Sequence, residues 1–466
     1  MALLRRWQGH FKRDKNMAKD MTTGSPAKHI IGFAIPIFIG SIFQQFYNIV
    51  DTMIVGRFVG VNALAAVGST SSIMFCVQGI AMGMTTGFGV VVSQAFGAKN
   101  ERDLRHNVAM SAYLTIFISV VVTTILLLAN NPLLHAMNTP GEIFEGAYTY
   151  LAIIFAGFCV TMAYNLFAAI LRAIGDSKTP LYFLMVSSVL NILLDLVFVI
   201  NFKMGVAGVA YATVISQSVS AILCFFYMKK KYPQVMKTET EERIFSARSA
   251  ARLMGMGIPM ALQFSITSFG TMIVQSALNL LGETAIAAYA AAQKIQGLIC
   301  QPYVALGTAL ATYSGQNAGA GNYERIKDGL KKSLLILLAV VMITFAIARI
   351  FGGAATMLFV DGAETEVIRL SEKYFSIATW FYLPLASIFI FRNTLQGIGY
   401  GVDAMFGGVF ELAARALLIK IIGTNFGYAG ICFCDPAAWT AALIPLIPLY
   451  YYRMRQAEMR RIGSIS

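Results

Sequence analysis

Charge is scarce in this chain: only 13% of its 466 residues are Asp, Glu, Lys or Arg, where a soluble domain carries roughly a quarter. A water-soluble protein of this length divides into about two or three domains, each needing a charged surface. Too few charges are present to make those surfaces. The shortage excludes a soluble enzyme, a nucleic-acid-binding domain and a disordered chain. Site chemistry is lacking as well. The six cysteines lie in apolar stretches, and Cys432 and Cys434, two positions apart, point to different sides of a helix, so no zinc spacing exists. His10, His29, His106 and His135 fall at or outside the ends of apolar runs with no partner pattern for catalysis. The glycine-rich stretch Gly315 to Gly321 lacks the Lys-Ser/Thr of a phosphate-binding loop. No enzyme and no cofactor are expected. The stretch from Met1 to Lys28 is polar and basic and lacks the apolar core of a signal peptide, which predicts a solvated tail.

What is present is apolar, at 57% of the residues. No Asp, Glu, Lys or Arg occurs over 58–98, 106–141, 146–171 or 253–282, and each run exceeds the roughly 20 helical residues that cross a bilayer. The runs are too long for barrel strands of about 10 residues and do not alternate. An all-α polytopic membrane protein is therefore predicted. Cutting at charges, Pro-Gly clusters and polar turns gives twelve spans, near 30–57, 62–96, 106–130, 145–171, 180–201, 205–228, 252–282, 285–316, 330–351, 369–397, 403–424 and 428–452.

The net charge of +13 is a topology signal rather than a nucleic-acid signal. Of 36 Lys and Arg, 27 fall in segments on one side of such a membrane, against Arg57, Lys203, Arg369 and Lys373 on the other. Basic loops stay in the cytoplasm, so both termini are expected there, in the cell (inner) membrane. The linker 229–251 separates six spans from six, so both halves enter the membrane in the same direction. The halves also resemble each other at a nearly constant offset along the chain: Ile35-Pro36 lies over Ile258-Pro259, Ala63-Leu64-Ala65-Ala66 over Ala285-Ile286-Ala287-Ala288, Leu171-Arg172-Ala173-Ile174-Gly175 over Leu395-Gln396-Gly397-Ile398-Gly399, and Gly208 over Gly430. Two pseudo-symmetric six-helix lobes follow, at 29–228 and 252–452, with cytoplasmic tails 1–28 and 453–466. Pro36 and Pro259 occupy one point in the first helix of each lobe, where a proline either bends the helix or serves as a hinge.

Carboxylates in a membrane are costly and mark ion or substrate pathways. Asp51 follows Tyr47 by four positions and Asp195 follows Asn191 by four, which puts each pair on one helical face. With the Thr213 hydroxyl they form a set of hard oxygen donors that suits Na⁺ or takes up protons. Glu411 and Arg415, also four apart, read as a neutralising structural pair; Asp435 lies early in the last span, near the interface; Arg172, Asp176 and Lys178 lie in an inside loop. Twenty-three Met with 33 Phe and 20 Tyr make a soft aromatic interior that suits varied amphiphiles and organic cations.

Over about residues 28–452 the chain resembles the multidrug and toxic compound extrusion (MATE) transporters of prokaryotes. The resemblance rests on Tyr47 through Gly56, Leu171 through Asp176, Asn191 through Asp195 and Leu395 through Gly399. It implies an antiporter that expels small organic, often cationic, drugs in exchange for Na⁺ or H⁺ by alternating access, acting as a monomer among membrane lipids. It further implies coupling-ion ligands at Asp51, Asn191, Asp195 and Thr213, and cavity positions at Gln44, Tyr47, Tyr150 and Asn165. Some branches carry an acid in the seventh or tenth span; here the seventh has none and the tenth has none after Lys373, which concentrates coupling in the N-terminal lobe. A flippase for lipid-linked glycans from the same superfamily is the alternative, and would want a more basic cavity; a channel would want a filter motif, and none is visible.

Overall fold

The computed structural model describes residues 19–359 and 364–463, and every regular element among them is helical. Twelve crossing units follow in order. The first six are α1 (Pro26–Ile54), α2 (Ser71–Gly97), α3 (Glu101–Ala136), α4 (Gly141–Ala156 and Phe158–Ala173), α5 (Lys178–Leu196) and α6 (Gly205–Lys231). The second six are α7 (Ala247–Leu278), α8 (Glu283–Ile299 and Gln301–Gly319), α9 (Tyr323–Thr356), α10 (Thr365–Ala378 and Tyr382–Gly397), α11 (Gly401–Leu418) and α12 (Thr424–Gly463). Helices are what uninterrupted apolar sequence must form in lipid, because each satisfies its own backbone hydrogen bonds. The start of α3 is set by capping: Asn100 Oδ1 accepts from the Asp103 amide (3.1 Å), with Glu101 and Asp103 in the first turn.

Among the described residues nine helices are long and apolar enough to cross a membrane, and the two halves of α4, bent by 48° at Gly157, make a tenth. The remaining two units are α8, split at Cys300 into pieces of 17 and 19 residues, and α11, which carries Asp403, Glu411 and Arg415. Gln296 of α8 and Asp403 and Arg415 of α11 are buried in protein. Apolar side chains facing outward, such as Ile116, Phe117, Val120 and Leu128 on α3 and Leu335, Met342, Ile343 and Ile350 on α9, recur at helical spacing and supply the lipid-facing stripes. The chain is a multi-pass membrane protein.

The repeat seen in the sequence is also a repeat of backbone conformation. Positive-φ glycines recur at Gly60 and Gly282 (118° and 90°), Gly175 and Gly399 (92° and 100°), and Gly205 and Gly427 (59° and 56°). Side-chain-bearing residues adopt such φ values only at a cost, so the same hinge chemistry is retained at both copies of each joint. The lobes are not cleanly divided, however. Ile30 and Phe33 of α1 join the hydrophobic core of the second lobe, while Leu253, Met256 and Met260 of α7 join that of the first. The crossing helices meet closely: a Cβ at Gly83 or Gly87 of α2 would lie 2.5 or 2.6 Å from the α7 backbone at Ala261 or Gly257.

The segments outside the lobes depart from expectation. Residues 1–18 and 464–466 of the expected tails lie outside the described residues. Within 19–28, however, Met21 is fully buried in the second core instead of solvated, because an apolar side chain there fills the cleft where the lobes meet. Residues 453–463 continue α12 as helix. The linker is held down by Glu242, 2% exposed, which accepts from Arg105 Nε (2.8 Å) and Nη2 (2.6 Å) of α3. That guanidinium holds the Glu242 carboxyl below its ordinary range.

Candidate functional site

Asp51 and Asp195 arrive at one place from α1 and α5. Their carboxyl groups lie within hydrogen-bonding reach of each other, and Tyr47, Tyr150 and Thr213 surround them. Asp195 and Asn191 are 0% and 1% exposed. Asn191 ties α5 to α6: its Nδ2 donates to Asp195 Oδ2 (2.9 Å) and its Oδ1 accepts from the Thr213 amide (3.1 Å). Asp51 Oδ1 and Asp195 Oδ1 are buried with no hydrogen-bond partner. Buried oxygens of this kind are costly when left unsatisfied, and two carboxyl groups this close concentrate negative charge at one point. The four residues expected to form it are thus brought together. Among the described residues no three His, Cys, Asp or Glu side chains are grouped as a multivalent metal would require.

Beside this pocket lies a cavity of about 370 Å³, within the range that holds a drug-sized ligand. Gln44, Tyr47 and Asn165 line it as expected. Tyr150 does not; it is 8% exposed and stands with the acids, on the half of α4 before the 48° bend, while Thr161, Asn165 and Arg172 on the half after it line the cavity. Tyr47 belongs to both places, lining the cavity and facing the acids. Phe264 of α7 and Thr308 of α8 close the cavity from the second lobe. A larger, shallow depression of about 730 Å³ beside the linker lies among the exposed ion pairs, away from the acids.

Several lining residues were not anticipated. Ser187 and Ser188 on α5, and Ser216, Gln217 and Ser220 on α6, continue the faces of Asn191/Asp195 and Thr213 into the cavity; their spacing of three and four positions was the signal. Thr161 Oγ1 donates to Gln217 Oε1 (2.7 Å), and Asn165 Nδ2 donates to the Thr161 carbonyl (2.8 Å), joining α4 to α6. Arg172, read as part of a loop, is the one charged side chain among the cavity-lining residues, because α4 runs on to Ala173 and carries it inward.

At the end that carries the described termini the lobes are sealed. Gln94 Nε2 donates to the Gly397 carbonyl (2.9 Å), Gln316 Nε2 to the Ala173 carbonyl (2.9 Å), and the Met21 amide to Gln316 Oε1 (2.9 Å). Arg325 Nη2 and Asn317 Nδ2 both donate to the Met21 carbonyl (3.2 Å each). The approach depends on two missing side chains: a Cβ at Gly97 or Gly319 would overlap the backbone oxygen of Gln316 or Gln94.

In the second lobe Glu411 and Arg415 form the expected pair (2.7 Å), and a third member joins them. Asp435, expected near the interface, is 4% exposed and accepts from Arg415 Nε at 2.6 Å. Its other oxygen accepts from the Tyr289 hydroxyl (2.5 Å) and Gln293 Nε2 (3.1 Å). Asp435 lies two turns into the helix that follows the break at Gly427, on the face that meets Arg415 of α11 and Tyr289 of α8.

A family model for MatE matches residues 36–197 and 259–421, one match in each lobe. The chain belongs to the MatE family. Each match runs from the first helix of a lobe to the end of its fifth, so it takes in Asp51 and Asp195 but stops before Thr213. Among the relatives of this MatE chain is the probable multidrug resistance protein YoeA of Bacillus subtilis, 27% identical over 92% of this chain and 94% of that protein. The multidrug export protein MepA of Staphylococcus saprophyticus is 21% identical over 92% of this chain and 94% of its own. A solved multidrug resistance MATE family transporter in an outward-facing conformation superimposes with a TM-score of 0.89 at 22% identity, covering 95% of this chain and 100% of that one. The twelve-helix, two-lobe fold is that of the MATE transporters, and the relatives are transporters rather than enzymes.

Proposed function

We propose that this protein is a cation-coupled antiporter that exports organic amphiphiles, drugs among them, by alternating access between its lobes. The observation that carries the reading is the pair Asp51 and Asp195, sequestered in one lobe with unpartnered oxygens beside Tyr47, which also lines the cavity. A monovalent ion that enters this pocket cancels one negative charge and draws α1, α5 and α6 together through Asp51, Asp195, Asn191 and Thr213. Tyr47, on α1 between pocket and cavity, carries that movement to the substrate, so ion and drug compete for one arrangement of the first helix. When the ion leaves, the pocket regains its negative charge and the cavity its affinity.

The seal at the termini-bearing end supports an assignment of this structure to the outward-facing side of the cycle. The excess of Lys and Arg in the loops of that end makes it the cytoplasmic one, in the cell membrane. The names of the relatives support drugs as the cargo. One ion moving inward through 100 mV supplies about 2.3 kcal/mol, enough for roughly a fifty-fold gradient. The test is efflux of a fluorescent drug from proteoliposomes, driven in turn by a Na⁺ gradient and by a pH gradient. Drug movement coupled to either gradient and lost in D51N and D195N is the expected result; efflux independent of both gradients overturns the antiport reading.

A further inference from the structure

The repeat allows the N-lobe pocket to be located in the second lobe residue by residue. The offset that superposes Pro36 on Pro259 carries Tyr47 to Gly270 and Asp51 to Val274. The offset between Gly205 and Gly427 carries Thr213 to Asp435, and that between Gly175 and Gly399 carries Tyr150 to Tyr374. These counterparts are not scattered. Asp435 accepts from Tyr289, whose ring meets that of Tyr374 edge-on at 5.4 Å. A Cβ at Gly270 would lie 2.5 Å from Arg415 Nη1. The space that Tyr47 borders in the first lobe is therefore occupied, in the second, by a guanidinium.

That guanidinium is held as an ion would be. Arg415 is 5% exposed and bridges two carboxylates, Asp435 at 2.6 Å and Glu411 at 2.7 Å. The charge count of the two lobes then agrees. Glu411, Asp435 and Arg415 sum to −1; Asp51, Asp195 and one bound monocation also sum to −1. Where the first lobe has Tyr47 the second has glycine, which is the substitution that admits a planar cation as large as guanidinium. Where it has Asp51 and Asp195 the second has Val274 and Ile419, 1% and 8% exposed. Arg415 itself stands at the position of Asn191, and the two acids come instead from Asp435, at the position of Thr213, and from Glu411, one turn before Arg415.

We propose that the second lobe retains the cation pocket of the first with the cation built into the chain. Arg415 is its permanent occupant, so this lobe stays in the loaded state throughout the cycle and only the Asp51/Asp195 pocket exchanges an ion with the solution. The proposal rests on the N-lobe reading for its functional meaning, but its test does not involve Asp51 or Asp195, so each can fail without the other.

Removal of the occupant leaves a vacancy selective for a monovalent planar cation. The full-length R415A protein in detergent is titrated with guanidinium chloride up to about 10 mM, with thermal unfolding as the readout; ligand that binds only the folded state raises the midpoint in a saturable way, by about 2 °C once well above its dissociation constant. The expected result is a saturable rise in R415A, none in the wild type, whose pocket is filled, none in R415A/D435N, and none with urea, which has the same shape without the charge. No rise in R415A, or an equal rise in the wild type or the double variant, overturns the proposal. If R415A is not recovered folded, expression and purification in guanidinium decide: recovery of R415A but not of R415A/D435N supports the built-in cation, and no recovery of R415A overturns it.

Discussion

Replacing Asp195 by asparagine changes one oxygen to an amide nitrogen and nothing else in shape, so its effects separate charge from packing. At about 4 Å and an effective dielectric of about 20, the attraction between one carboxylate and a monovalent cation is worth roughly 4 kcal/mol. Its loss weakens the pocket for its ion by a factor of about a thousand. The effect on folding is much smaller. The new amide keeps one oxygen to accept from Asn191 Nδ2, as Asp195 Oδ2 does (2.9 Å), and repulsion between two carboxylates within reach of each other is relieved. D195N should therefore insert and fold with a thermal midpoint near that of the wild type, yet lose both ion-dependent stabilisation and gradient-driven efflux. The assay pairs the two readouts on one preparation: unfolding midpoint against Na⁺ concentration and against pH in detergent, and drug efflux after reconstitution. Wild-type efflux from D195N under either gradient, or an undiminished ion-dependent shift of its midpoint, refutes the pocket.

Tyr47 gives a prediction of the opposite kind: Y47F removes a hydroxyl at the border of cavity and acids but no charge, so efflux should fall while the ion-dependent midpoint shift in the unfolding assay persists. At the seal, G97A drives a Cβ into the Gln316 carbonyl oxygen. Overpacking of this kind costs about 1–3 kcal/mol, so the closed end should open at least several-fold more often, read as faster thiol labelling of a cysteine placed at Ala318. In the linker, E242Q leaves Arg105 without its bidentate partner, and truncating one member of a buried pair costs about 3 kcal/mol, read as a lower unfolding midpoint. The same clasp has a pH dependence. Because Arg105 depresses the folded-state carboxyl below its ordinary value of 4.5, its contribution is complete above that pH and is lost as the pH falls through the depressed value; E242Q should flatten the acid limb of the stability profile.

Much of this was legible in the sequence because the solvent enforces it. The absence of charge over 58–98 or 106–141 leaves a chain no option but to cross lipid as helix. Asp51 and Asp195 stood out because a carboxylate inside such a run demands a reason. The unanticipated groups were those whose location depends on a bend or a helix end. Tyr150 was assigned to the cavity, but it lies before the bend at Gly157 and stands with the acids. Asp435 was assigned to the interface, but the packing of its helix against α11 buries it on Arg415. Met21 was counted in a solvated tail, yet it is drawn into the cleft between the lobes by Gln316, Asn317 and Arg325, all from the far half of the chain.

By itself the sequence determined the helices, their number, the twofold repeat and the identity of the acids, since hydropathy, periodicity and the cost of a buried charge are properties of residues taken a few at a time. The tertiary structure alone decided that α1 and α7 each pack into the opposite core, that the two acids share one pocket with Tyr47 as its wall, and that Gly270 leaves room for the Arg415 guanidinium. Those outcomes depend on which helix surfaces approach within a few ångströms, and close packing between segments far apart in the chain is selected by shape over the whole molecule, which no local pattern encodes.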